Sequence, residues 1–134
     1  MSPSYIYVLC AIRFPMSAVF SIITKSEAIL ATDTVCSFKP NERTNSLKPR
    51  SFTCKAFLLP QFKSSFAVTG TLQVGLCFFS YVVECTYGTD IDSLIGIDLS
   101  HFRSRLESDY EELPTGTIYL IGYSLLDETF KGIS

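Results

Sequence analysis

A layered α+β domain is the fold class that this sequence predicts, and three observations carry it. Apolar, β-type runs alternate with short polar turns from Ala18 to Gly70. The apolar spacing then lengthens from two residues to three or four between Leu72 and Leu113, and strand texture returns from Thr115 onward. Strands placed before and after a block of helices fit sheets packed against helices. At 134 residues the chain is about one domain long.

The elements follow in order. Residues 18–24 and 28–32 are β-branched or apolar runs separated by Lys25, Ser26 and Glu27, so they are expected as a hairpin. Residues 38–50, "FKPNERTNSLKPR", hold two prolines, two asparagines and most of the nearby charge, which is the texture of a loop excursion. The runs "SFTCKAFLLP" and "SSFAVTG" are two further strands with "QFK" at their turn. Beyond Gly70, Leu72, Leu76, Phe79 and Val83 recur at helical spacing and are expected to form a buried helix face. Leu99, Phe102, Leu106, Tyr110 and Leu113 do the same for a second helix. The stretch "TGTIYLIGYSLLDETFKGIS" then reads as a final hairpin turning at "LDE".

Composition narrows the function classes. Hydrophobic residues make up 47% and charged residues 18% of the chain, too apolar for a disordered segment. The net charge of −2 is uneven, with basic residues concentrated between Lys39 and Lys55 and most acids at or beyond Glu84. Neither block is a run of one sign interleaved with aromatics, so no nucleic-acid footprint is present. The five cysteines, Cys10, Cys36, Cys54, Cys77 and Cys85, show no C-x-x-C spacing, and the single His101 has no cysteine beside it. No metal site or cofactor is therefore expected, and reduced thiols in a cytoplasmic protein are. Cys77 and Cys85 are expected as core thiols, and His101 as an exposed residue near a helix start. The opening "MSPSYIYVLCAIRFP" lacks the basic lead and small-residue cleavage site of a secretion signal. The uncharged stretch from Ser64 to Val83 has the length of a membrane span, but eight hydroxyl-bearing, glycine or amide residues from Ser64 to Ser80 interrupt it and Gly70 divides it, so two short elements are expected instead.

One family pattern runs through these elements. The stretches "SAVFSIITKSEAILATDT", "CKAFLLPQFKSSFAVTG", the apolar helix and "TIYLIGYSLLDETFK" are together similar to N-terminal-nucleophile hydrolases of the proteasome type, including their bacterial proteasome-like relatives. The resemblance covers residues 17–134 and implies an α/β/β/α sandwich, incomplete at its C-terminal end. It also implies a catalytic set. Asp33 in "LATDT" follows Ser17 by sixteen residues, and Gly70 follows Lys55 by fifteen. Both spacings keep the family register, with Ser17 as nucleophile, Asp33 and Lys55 as its charged partners and Gly70 as the oxyanion donor. Between the two pairs this chain is longer than the family, with twenty-two residues from Asp33 to Lys55. The excess falls in the Pro/Asn-rich excursion, where added loop length costs little.

The chemistry that the resemblance implies needs these residue types. A serine hydroxyl requires an adjacent base, and an α-amino group, with an ordinary pKa of about 7.7–8.0, can take the proton of its own side chain. Ser17 must then be the first residue, so residues 1–16 are expected to be a leader, a propeptide or an upstream segment, with Met16 as the true start. A lysine cation tunes the amine and hydroxyl, an aspartate keeps the lysine charged and placed, and a backbone N–H at a residue without Cβ can hold the oxyanion. Taken singly, each residue has a plain reading: an edge-strand serine, a strand-end aspartate, a solvated lysine and a turn glycine. The competing class is a non-catalytic structural or interaction protein that keeps the fold. The same resemblance implies a peptide or small-amide substrate and a homo-oligomer, with neither nucleic acid nor membrane as partner.

Overall fold

A computed structural model describes residues 7–13, 17–33, 35–37 and 49–134, with side chains for 18–33 and 53–134. The chain is a mixed α+β protein built on two antiparallel sheets and three helices. Nine strands are described: β1 (Tyr7–Arg13), β2 (Ser17–Ile23), β3 (Ala28–Thr32), β4 (Val35–Ser37), β5 (Pro49–Phe52), β6 (Ala56–Leu59), β7 (Ser64–Gly70), β8 (Gly116–Ser124) and β9 (Thr129–Ile133). The helices are α1 (Leu72–Cys85), α2 (Ile91–Ile95) and α3 (Leu99–Asp109). One sheet has the order β1-β2-β3 and the other β6-β7-β8-β9, while β4 and β5 form a separate two-stranded ribbon.

The expected β2–β3 hairpin is present, and Thr24 closes it. Its hydroxyl accepts the amide hydrogens of Ser26 and Glu27 and donates to the Glu27 carbonyl, a local side-chain turn that fixes the strand register. The β6–β7 connection is a single 3-10 turn at Pro60–Phe62, ended by Lys63 in the left-handed region at φ 49°. The final hairpin runs over β8 and β9 with Ser124 opposite Thr129. Of the expected loop excursion, residues 38–48 lie outside the described residues, and its end is ordered as β5 against β4. Three described elements carried no expectation: β1, which pairs with β2 from Tyr7↔Ile23 to Arg13↔Ser17, the short strand β4 and the short helix α2.

Three layers result. The inner face of the first sheet presents Val19, Ser21 and Ile23 from β2, and Val19 packs with Leu30 against Ala67 and Tyr119 of the second sheet. The opposite face of the second sheet carries the helices. An aromatic chain joins them: Phe57 stacks on Phe66 at 4.8 Å between centroids, Phe66 meets Phe78 of α1 edge-on at 5.1 Å, and Phe78 meets Phe102 of α3 at 5.5 Å. Asp98 starts α3 by accepting the Ser100 amide at 2.9 Å. Among the described residues no helix covers the outer face of the first sheet, where Phe20 and Ile29 stand exposed. No helix of the described residues is long and apolar enough to cross a membrane; the stretch weighed as a span is β7 followed by α1.

The orientation of α1 corrects the sequence expectation. Its buried residues are Val74, Gly75, Phe78, Tyr81 and Val82, while Leu76 (51% exposed), Phe79 and Val83 of the expected core stripe face outward. Gly75 supplies the reason. A Cβ there would lie 2.8 Å from Val68 Cγ1 and 3.2 Å from the Phe57 ring, so the helix axis approaches the sheet through a face that glycine leaves bare. Both faces are apolar, and backbone proximity selects the one with the small residue. In α3, Phe102 and Leu106 are buried as expected, but Leu99 and Leu113 are exposed and the helix ends at Asp109. Cys85 is exposed rather than a core thiol, and Cys77 is half-buried.

Candidate functional site

Strand register brings the sequence-singled residues toward one end of the two packed sheets. In the first sheet Val19 lies opposite Thr32, so Ala18 stands across from Asp33, and the Asp33 amide donates to the Ala18 carbonyl at 3.1 Å. Ser17 is the next residue along β2, and its side chain lies outside those described. In the second sheet Ala56 lies opposite Ala67, and the Val68 amide donates to the Lys55 carbonyl at 3.0 Å. Gly70 follows two residues later, at the end of β7.

One side-chain bond ties the two sheets together here. Lys55 Nζ donates to Asp33 Oδ1 at 2.9 Å, with the lysine side chain 6% and the aspartate 28% exposed. The plain expectation for a lysine at a strand start is a solvated ammonium, and this one is buried. Lysine is rarely so placed unless paired, because desolvating an ammonium costs several kcal/mol. The local backbone favours the arrangement: residues 53–55 precede β6 without strand geometry, which frees Lys55 from regular alternation.

Gly70 has the features that the position demands, for a reason of packing. Its φ is +87°, and a Cβ would sit 2.7 Å from the Thr115 carbonyl oxygen. Its partner Gly116 is equally confined, since a Cβ there would sit 2.6 Å from the Thr69 carbonyl oxygen, so the β7–β8 pairing ends at a pair of glycines. Thus Gly70 is required by the fold whatever its chemical role.

Sequence reasoning missed Thr69. Its hydroxyl is buried, 1% exposed as a residue, and has no hydrogen-bond partner among the described residues, although it lies between the Lys55-bonded Val68 and Gly70. An unpaired buried hydroxyl costs about 1–3 kcal/mol and is uncommon outside functional or hydrated sites. A threonine in a strand reads as an ordinary β-former, so the sequence held no signal for it beyond its place in the alternation of β7. His101 is exposed on the first turn of α3, as expected, with its Nδ1 3.1 Å from the Tyr81 hydroxyl, and it lies on the helical layer with no part in this site. Among the described residues no cluster of His, Cys, Asp or Glu could hold a metal ion.

This arrangement defines a class only in chemical terms: a buried, paired lysine and a glycine-bounded strand end beside the start of a strand that opens with serine. No protein-family model, curated protein or solved structure matches the chain.

Proposed function

We propose that this chain is an amide-bond hydrolase of the N-terminal-nucleophile type, acting through Ser17 once residues 1–16 are removed, on a proteasome-like α/β/β/α framework. The observation that carries the reading is the buried Lys55–Asp33 pair, held one strand-pair from the start of β2. In the reaction Ser17 Oγ attacks the substrate carbonyl carbon while its proton passes to the Ser17 α-amino group. The oxyanion is held by the Gly70 amide. Collapse expels the leaving amine, which takes the proton, and water then hydrolyses the acyl ester. Lys55 favours the neutral amine and the developing alkoxide by its positive charge, and Asp33 fixes Lys55 in place. The substrate class is a peptide or small amide, and the setting a cytoplasm where the cysteines stay reduced.

Assembly belongs to the same reading. The outward stripe of Leu76, Phe79 and Val83 on α1 is an apolar surface that a second copy of the chain would cover, giving a homo-oligomer detectable by light scattering.

A chain started at Met16 and trimmed to Ser17 should cleave short peptide amides and be labelled at Ser17 by hydroxyl-directed electrophiles. Ser17→Ala should abolish both, because it removes the attacking oxygen and keeps the amine. Equal activity in a chain that retains residues 1–16, verified by intact mass, would refute the mechanism, since an acylated nitrogen has no basic lone pair.

A second reading has its own observation. β1 pairs with β2 over seven residues and ends opposite Ser17, so the leading segment is part of the first sheet. That favours a non-catalytic interaction protein in which Ser17 stays internal. A stable chain retaining Met1, inert toward amides and electrophiles, is the outcome it requires.

A further inference from the structure

The Thr69 hydroxyl is the one buried side-chain polar atom without a hydrogen-bond partner among the described residues, and strand register says what stands over it. Val68 packs on Gly75 of α1, so Thr69, the next residue of β7, belongs with Ala67 to the face turned toward the first sheet. Val19 of β2 packs on Ala67. From there β2 runs toward β9: a Cβ on Gly132 would lie 2.4 Å from Ile23 Cδ1, Gly132 pairs with Ile121, and Ile121 pairs with Ser65. β2 therefore passes from the level of Ala67 to that of Ser65, and its start lies the other way. The Lys55–Asp33 bond fixes the same end independently, since Asp33 is tied to Ala18 and Lys55 to Val68. Ser17, two residues before Val19, is thus the part of β2 at the level of Thr69, two residues beyond Ala67.

An α-amino nitrogen that acts as a base has a lone pair to aim, and an acceptor for one of its N–H groups aims it. The charged groups on the elements packed here are Lys55, before β6, and Asp33, after β3, and they bond each other. An ammonium is a donor only, so Lys55 cannot accept from an amine. Thr117, opposite Thr69 on β8, and Tyr119 beyond it add no charge. For packing alone, valine would fill the place of Thr69 without burying an unpaired hydroxyl.

We propose that Thr69 positions the Ser17 α-amino group, an inference that rests on the reading of Ser17 as an N-terminal nucleophile. Thr69 Oγ1 accepts one N–H, which leaves the nitrogen lone pair for the Ser17 hydroxyl. As Ser17 Oγ attacks, its proton passes to that nitrogen, and the ammonium keeps its bond to Thr69. The same proton then leaves with the amine product, and Thr69 retains its own proton throughout. A hydrogen bond to the charged form favours that form, so Thr69 makes the amine a stronger base.

In the chain trimmed to Ser17, Thr69→Val should lower kcat/KM for a short peptide amide about five- to twentyfold and move the acid limb of its pH profile down by about 0.5–1 unit. Thr69→Ser should restore both. Carbamoylation of the Ser17 amine by cyanate, read on the N-terminal peptide by mass spectrometry, should show the same pH displacement whether or not the chain hydrolyses amides. In the untrimmed chain, where the Ser17 nitrogen is an amide, Thr69→Val should raise the thermal midpoint by about 2–5 °C, because it removes an unpaired hydroxyl at nearly constant volume. An unchanged acid limb and carbamoylation profile in Thr69→Val would overturn the inference and leave the hydrolase reading standing wherever the parent chain is active. A lowered midpoint in the untrimmed chain would overturn it too, since Thr69 would then have a partner there. A trimmed chain inert toward amides, with carbamoylation that still depends on Thr69, would sink the hydrolase reading and keep the contact.

Discussion

Lys55 and Asp33 bond across two sheets, and their unequal burial determines how each should respond to substitution. Asp33→Asn takes a carboxylate charge away from an ammonium that is only 6% exposed, whereas Lys55→Met removes the buried charge and leaves an aspartate that water can still reach. Denaturant unfolding should therefore show Asp33→Asn to be the more damaging, by about 1–3 kcal/mol, and Lys55→Met to cost less than about 1 kcal/mol. The double variant should regain part of the Asp33→Asn loss. Equal single-variant losses that simply add would mean that the pair is not coupled. At this scale the sequence was informative for a specific reason: the spacings Ser17 to Asp33 and Lys55 to Gly70 lie within hairpins, where register converts spacing into proximity. The pairing of Asp33 with Lys55 spans the long connection, so no hairpin register forecasts it, and the folded chain alone shows the bond. Thr69 was invisible, because burial without a partner is a property of tertiary packing.

At the scale of elements, the hairpins were legible and the helix orientation was not. Polar turns such as Lys25-Ser26-Glu27 and Leu126-Asp127-Glu128 separate apolar runs of period two, and no alternative element competes for them. In α1 the stripes Leu72/Leu76/Phe79/Val83 and Val74/Phe78/Tyr81/Val82 are both apolar, so periodicity offers two faces and cannot choose. Gly75 chooses, by permitting close approach to Val68. The consequence is measurable. Gly75→Val places methyl groups where even a Cβ would be 2.8 Å from Val68 Cγ1, so it should destabilise the fold by about 1–3 kcal/mol despite valine's better helix propensity. Leu76→Ser, on the outward stripe, should alter chain stability by no more than about 0.5 kcal/mol. A loss of about 2–5 kcal/mol for Leu76→Ser, the range for a truncated core leucine, would show the opposite face to be buried.

Across the whole molecule, the end far from Gly70 and Gly116 adds a cluster of charges to the apolar packing of Ile91 and Leu94, and that makes its stability depend on pH in both directions. Ser124, fully buried at the end of β8, donates to Asp92 Oδ2 at 2.5 Å and accepts the Asp127 amide, while Lys131 bonds Asp92 Oδ1 at 2.9 Å and also reaches Asp127. The Leu125 amide donates to Asp90 at 2.8 Å, so the β8–β9 turn is fastened to the start of α2 by two aspartates. The Asp92 carboxyl is held below its ordinary value, first by the Ser124 hydroxyl and then by Lys131. Its contribution is therefore complete above the normal aspartate range and is lost as pH falls through the lowered folded value. Lys131 is raised above its ordinary value, first by Asp127 and then by Asp92, so its contribution is complete below the normal lysine range and is lost as pH rises through the raised folded value. Thermal unfolding should thus decline at both extremes. Asp92→Asn should flatten the acid limb, because no charge remains there to be lost, and Lys131→Met should flatten the alkaline limb. Hydrogen exchange of the Leu125 and Asp127 amides should rise at acid pH before the amides of β7 do, since the turn loosens while β7 stays packed through Ala67 in the inter-sheet core with Val19. Simultaneous exposure of the turn and β7 would instead mean that acid acts elsewhere than at Asp92.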